Sequence, residues 1–280
     1  MVAAKRPVLE SLRRDHIIEL LGKGQRVDGR KLTEQRKLTI ETNVIEKANG
    51  SARVSLGDTE VICGVKIELG TPFPDTPDKA ILIVNAEVLP IASPQHEPGP
   101  PDEEVIELSR VVDRGIRESE MIDLSKLVII PGQKVYAVFI DISVINLDGN
   151  LIEACSCAAV TALATAKMKS HELSSSGEFK QLEDIVPLPT NRLPVSITVA
   201  KIGESLLVDP SMDEESVMDA RLTLTTDDDG NFCAGQKGEP GGFSIDEVFQ
   251  VSENALASGK EVRELMKKVI EGAKEGKETN

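Results

Sequence analysis

Three groups of residues in this chain have types and spacings that suit chemistry. Arg110, Arg114 and Arg117 recur at i, i+4 and i+7 in DEEVIELSRVVDRGIRES. On a helix they share one face about 10 Å long, from which guanidinium forks can grip successive phosphates. The second group is Asp148-Gly149-Asn150, between the β-branched run VYAVFIDISVIN and the small-residue run LIEACSCAAVTALATAKM. A strand, a tight turn and a helix in that order present unpaired amides and the positive end of the macrodipole to an anion. The third is LLVDPSMDEESVMDARLTL, which gathers Asp209, Asp213, Glu214, Glu215 and Asp219. Clustered carboxylates can hold a metal or supply a general acid.

Each group has a plainer reading. Glu107 and Asp113 flank Arg110, Asp113 precedes Arg117 by four, and Glu118 follows Arg114 by four. Intrahelical ion pairs can therefore engage all three arginines, and residue chemistry alone favours this solvated face. The residues after Gly149 are Asn150 and Leu151, where a working cradle would carry glycine, serine or threonine. Acid clusters more often cap turns or face solvent. Asp219 differs, because it opens a hydrophobic strand and must meet a cleft or a partner.

The elements that must position these groups follow from periodicity. VLESLRRDHIIELLG (8–22) is an amphipathic helix ended by Gly22 and Gly24. Short strands follow, punctuated by Asn49-Gly50 and Gly57-Asp58, and AILIVNAEVLP (80–90) is another. The proline-rich 92–101 is irregular, and a helix begins near Asp102 with Glu103 and Glu104 at its positive end. A strand at 134–147 and a helix at 151–168 come next. The polar stretch 170–194 is the best boundary in the chain. Beyond it lie the strands PVSITVAKI, SLLVDP, MDARLTLTT and NFCAGQK, then an amphipathic helix from about Ser244 to Lys274. Strands followed by helices occur twice, which predicts an α+β fold of two similar lobes of mixed sheets packed with helices. The division expected is a helical extension (1–25), an N-terminal lobe (26–180) and a C-terminal lobe (190–275).

Composition narrows the function. The chain has 280 residues, 40% hydrophobic and 28% charged, with 2% aromatics, so its core must be aliphatic. No run reaches the roughly 18 apolar residues of a membrane helix, and MVAAKRPVLE lacks a signal-peptide centre, so a cytoplasmic location is expected. Cys63, Cys155, Cys157 and Cys233 and the histidines at 16, 96 and 171 lack metal spacing; no metal or cofactor is expected. A net charge of −15 argues against a solitary nucleic-acid binder. RNA contact must come from a local cluster or a surface shared with a partner chain.

RVDGR (26–30), GSARVSLGDTEVICGV (50–65), IELSRVVDR (106–114), DGN (148–150) and VDPSMDEESVMDA (208–220) together resemble the RNase PH family. EPGPPDE and DPSMDEES are similar to the larger, non-catalytic RNase PH-like subunit of the archaeal exosome ring. The resemblance spans residues 10–270. It implies an RNase PH-like fold and a hexameric ring of three heterodimers, each pairing this chain with a catalytic RNase PH-like subunit. Cap subunits with S1- or KH-type domains would sit on one face. Single-stranded RNA would be shortened from its 3′ end by phosphorolysis. Arg110 and Arg114 would face the RNA path, while Arg117 matches less securely, as an interface or ion-pair residue. Catalytic members carry Gly-Ser or Gly-Thr and a basic residue where Asn150 and Leu151 stand here, so no catalytic residue is expected. Asp219 matches a catalytic-site carboxylate, after a shorter acid-rich approach than in active members. The rival readings are an active phosphorolytic exoribonuclease and an unrelated acidic enzyme with a metal at Asp209–Asp219.

Overall fold

The computed structural model describes residues 7–94, 96–173 and 179–274. Helix α1 (Pro7–Gly22) precedes strands β1 (Leu38–Thr42), β2 (Gly50–Leu56), β3 (Thr59–Gly70) and β4 (Ile81–Val88). Helix α2 (Glu103–Glu118) and a 3-10 turn (Leu124–Leu127) lead to β5 (Val128–Ile130), β6 (Lys134–Asn146) and α3 (Leu151–Thr165). A hairpin of β7 (Lys167–Leu173) and β8 (Phe179–Pro187) follows. The rest comprises β9 (Val195–Ile202), β10 (Ser205–Val208), the single turn α4 (Met212–Glu215), β11 (Ala220–Thr226), β12 (Phe232–Gly238) and α5 (Ile245–Lys274).

Two larger sheets carry the fold. The first runs β1-β2-β3-β6-β4, with β5 also on β6; the second runs β10-β9-β11-β12. Among the described residues, only β4 lies parallel to its neighbour, β6, because α2 carries the chain across between them. Sequence punctuation is explained locally. Gly57, at φ +59, turns β2 into β3, and Asp102 starts α2 by accepting the Val105 amide at 3.0 Å.

The core is aliphatic and continuous across both lobes, joining Ile142 of β6, Val160 of α3, Val199 of β9 and Met266 of α5. The small residues of α3 let it lie almost on the backbone of β2. A Cβ on Gly50 would stand 2.3 Å from the Ala162 carbonyl oxygen, so only glycine fits there. Cys155 and Cys157 are buried and free on this helix, as small hydrophobes in a packed face. Arg263 fixes α5, donating to the carbonyls of Leu193 at 3.0 Å and Thr226 at 2.8 Å.

Two segments gain detail from the structure. The polar stretch chosen as a boundary contains most of the β7–β8 hairpin, although 174–178 lie outside the described residues. Its strands pair antiparallel through their backbones, with an exposed Lys169–Glu183 pair at 3.0 Å across them and the His171 ring 5.5 Å from that of Tyr136. Helix α1 docks on the second lobe. Ile17 and Leu21 pack with Ile202, Leu207 and Val217 of the second lobe in a small separate cluster.

Candidate functional site

Helix α2 buries Val105, Leu108, Val111, Val112, Gly115 and Ile116, which turns its arginines outward. Of the four intrahelical pairs that spacing allows, one forms. Arg117 holds Asp113 at 2.7 Å and also donates to the Leu82 carbonyl at 3.1 Å. Arg110 is exposed and makes no ion pair or hydrogen bond among the described residues. Arg114 donates to Gln236 of β12, a second-lobe residue outside the sequence expectation. Gln236 in turn donates to Glu107 at 2.7 Å, and Glu107 also accepts from Arg221 at 3.1 Å. The acid best placed to quench Arg110 is thus drawn to the far lobe. Arg110 and Arg114 overlook a groove of about 760 Å³, walled by Leu82, Ile83 and Val84 of the edge strand β4 and lined also by Glu103, Glu107 and Asp113, the last two engaged by Arg221 and Arg117. Two guanidiniums without carboxylate partners beside an open groove suit a phosphodiester backbone.

The turn before α3 is occupied by the protein itself. Asn150 adopts a left-handed conformation (φ 54, ψ 45), and its amide donates to Glu215 at 2.8 Å. Its side-chain amide donates to Asp209 at 2.7 Å and Glu153 at 2.9 Å. A Cβ on Gly149 would lie 2.6 Å from the Met212 backbone nitrogen, so the acid-rich segment is seated directly on the turn. Nearby positive charge is engaged too. Arg36 binds both oxygens of Asp209, at 2.7 and 2.9 Å, and Arg30 reaches it at 3.0 Å. Burial would raise the Asp209 carboxyl, but Arg36 and Asn150 hold it below the usual range. Asp209 therefore keeps the charge and its buried neighbour Glu153 keeps the proton: burial and Asp209 push Glu153 up to about 8. Burial also raises Glu215 to about 7. An anion approaching this turn would meet the charged Asp209 carboxylate, and the Asn150 amide is already taken by Glu215.

The five acids of the second lobe do not converge. Glu214 is buried against Arg26, Asp213 pairs with Arg13 at 2.8 Å on the surface, and Asp209 lies in the clamp just described. Asp219 faces α1: Arg14 grips it at 2.9 and 3.1 Å and the Gly203 amide donates at 2.7 Å. The partner that its strand position demands is thus this chain's own helix, and the carboxylates that reach the turn are Asp209 and Glu215. Among the described residues no group of three or more His, Cys, Asp or Glu is arranged to hold a metal ion. Sequence reasoning missed Arg26, Arg36, Gln236 and Glu153. A lone acid in the small-residue run was a visible sign of the last.

Glu153 gives a test. A carboxyl raised when folded binds its proton more tightly folded than unfolded, so its contribution falls as pH climbs from about 4.5 to about 8. Glu153→Gln keeps acceptors for Asn150 and Thr198, and Gln35 can reverse its amide to match. Thermal melts from pH 5 to 9 should show the variant gaining stability over wild type mainly at the alkaline end. A gain independent of pH would mean that Glu153 is not the proton holder.

The two models of the 3′ exoribonuclease family, domains 1 and 2 of RNase PH type, match residues 34–169 and 192–258. The Exosome complex component Rrp42 of Thermococcus kodakarensis is 53% identical over 264 residues, covering 94% of this chain and 97% of the relative. That of Thermoplasma acidophilum is 47% identical over 264 residues, covering 94% and 98%. Among solved structures, a chain of the Archaeoglobus fulgidus exosome with RNA bound to the active site superposes with a TM-score of 0.84 at 47% identity, covering 92% and 98%. A chain of an archaeal exosome core gives 0.81 at 44% identity, covering 93% and 98%. This chain belongs to the 3′ exoribonuclease family of RNase PH, on the branch formed by the archaeal Rrp42 exosome components.

Proposed function

We propose that this chain is a non-catalytic, RNA-binding ring subunit of an archaeal-type exosome, working in the cytoplasm without a cofactor of its own. It pairs with a catalytic RNase PH-like subunit, three heterodimers close the hexameric ring, and cap subunits with S1- or KH-type domains deliver single-stranded RNA. Arg110 and Arg114 hold that RNA beside the partner's active site. The division into a helical extension (1–25) and lobes at 26–180 and 190–275 belongs to the same proposal. The observation that carries it is the contact between the Asn150 amide and Glu215. The helix terminus that would hold the attacking phosphate takes an internal carboxylate instead, so the nucleophile of phosphorolysis has no seat.

One assay on four samples tests the reading: this chain alone, the wild-type pair, the pair with Asp219→Asn here, and the pair with the matching acid of the catalytic partner neutralised. Phosphate-dependent release of nucleoside diphosphates is expected from the wild-type pair and, largely intact, from the Asp219→Asn pair. None is expected from this chain alone or from the pair altered in its partner. Robust phosphorolysis by the isolated chain, or a dead Asp219→Asn pair that still assembles, overturns it.

A further inference from the structure

The arginine face of α2 is completed by a side chain from the other lobe. Gln236, on β12, is half-buried and lines the same groove as Arg110 and Arg114. Its carbonyl oxygen accepts from Arg114 Nη2, and its amide nitrogen donates to Glu107 Oε1 at 2.7 Å. The same Glu107 oxygen accepts from Arg221 of β11 at 3.1 Å, so β11 and β12 hold this acid together. Spacing makes that hold matter. Glu107 stands three residues before Arg110 on α2, within reach of an intrahelical ion pair. Asp113 stands three after it and is bound by Arg117 at 2.7 Å. Each acid within helical reach of Arg110 is thus held by another donor.

The chemistry demanded of residue 236 is restrictive. A guanidinium only donates and an ionised carboxylate only accepts, so one side chain serves both when it carries an acceptor and a donor together. A primary amide does. Glutamate there would pair with Arg114 and repel Glu107. Lysine would hold Glu107 and repel Arg114, and alanine would hold neither.

We infer that Gln236 is a positioning residue for RNA: it holds Glu107 off Arg110 and orients Arg114 with a neutral acceptor, so that both guanidiniums keep their charge for phosphates. This role rests on the reading of Arg110 and Arg114 as RNA contacts. It makes the grip on RNA depend on how the second lobe docks against α2, since withdrawal of β12 releases Glu107 toward Arg110.

RNA affinity of the ring assembled with its catalytic partner, measured across a salt series, tests this. Gln236 is half-buried on the edge strand β12, so its variants should assemble. Gln236→Ala is expected to weaken binding about 5-fold, the worth of one ordinary hydrogen bond. The slope of log K against log salt should fall by about 0.7, one phosphate contact. Gln236→Glu, nearly the same shape, should bind still more weakly and lower the slope by about 1.4, because both arginines then meet carboxylates. In a Glu107→Gln background, Gln236→Ala should cost less than about 2-fold and leave the slope in place, the coupling expected of residues in one network. A loss that persists in that background, a loss without a change of slope, or a Gln236→Glu ring that binds as well as Gln236→Ala would each overturn the proposal. The two readings fail separately. If Arg110→Ala/Arg114→Ala leaves RNA binding normal, the RNA contacts fall and this role with them. If those arginines matter but Gln236→Ala binds like wild type, only the positioning role falls.

Discussion

Arg26→Ala is expected to cost roughly 3–5 kcal/mol of stability, the penalty for stripping one partner from a buried ion pair. The Arg26 side chain is 0% exposed and its fork meets Glu214, itself 1% exposed, at 2.8 and 2.5 Å. It also donates to the carbonyls of Val208 and Asp209, both at 2.7 Å. Removing it strands a charged carboxylate and unpairs the loop that carries Asp209 onto the turn before α3. The midpoint of thermal unfolding should fall by about 10 °C, at roughly 2–4 °C per kcal/mol for a chain near this size. Arg26→Lys should be intermediate, since a point charge cannot fill two parallel hydrogen bonds. The double change Arg26→Met/Glu214→Leu should recover much of the loss, because it removes both charges together. A single alanine variant that melts within 2 °C of wild type (~2 °C, less than 1 kcal/mol) would show that solvent reaches this pair.

Arg110→Ala/Arg114→Ala, in a ring assembled with the catalytic partner, is expected to weaken RNA binding at least about 10-fold at low salt, since each hydrogen bond to a charged group contributes about 1.5–3 kcal/mol. Assembly should be unaffected, because neither side chain carries core packing. Losing two phosphate contacts should also flatten the dependence of log K on log salt by about 1.4, at about 0.7 per contact for single strands. Arg117→Ala is the internal control. Its guanidinium is already held by Asp113 and the Leu82 carbonyl, so its removal should leave affinity and slope nearly unchanged. The readout is RNA affinity across a salt series. If the double variant binds like wild type at both low and moderate salt, these arginines form only a solvated face.

Local pattern determined most of the framework. The apolar stripe and Asp102 cap define α2, and the long β-branched run, the Asp148-Gly149 turn and the small-residue run define β6 and α3, because each signal lies within a few residues of its consequence. The sequence also showed that the turn lacks a hydroxyl for phosphate. It did not show what takes the anion's place. Glu215 and Asp219 are equally acidic and four residues apart; one reaches the Asn150 amide and the other binds Arg14, a choice made by how α4 and β11 dock on the rest of the chain. Likewise, each of the three arginines had at least one acid within helical reach. Gln236, 122 residues from Arg114, draws Glu107 away and leaves Arg110 without a carboxylate. RVDGR marked a motif, but Arg26 acts on Glu214 across 188 residues. Periodicity encodes which face of an element is buried. Which charged groups meet depends on ångström-scale distances between elements far apart in the chain, and only tertiary packing fixes those.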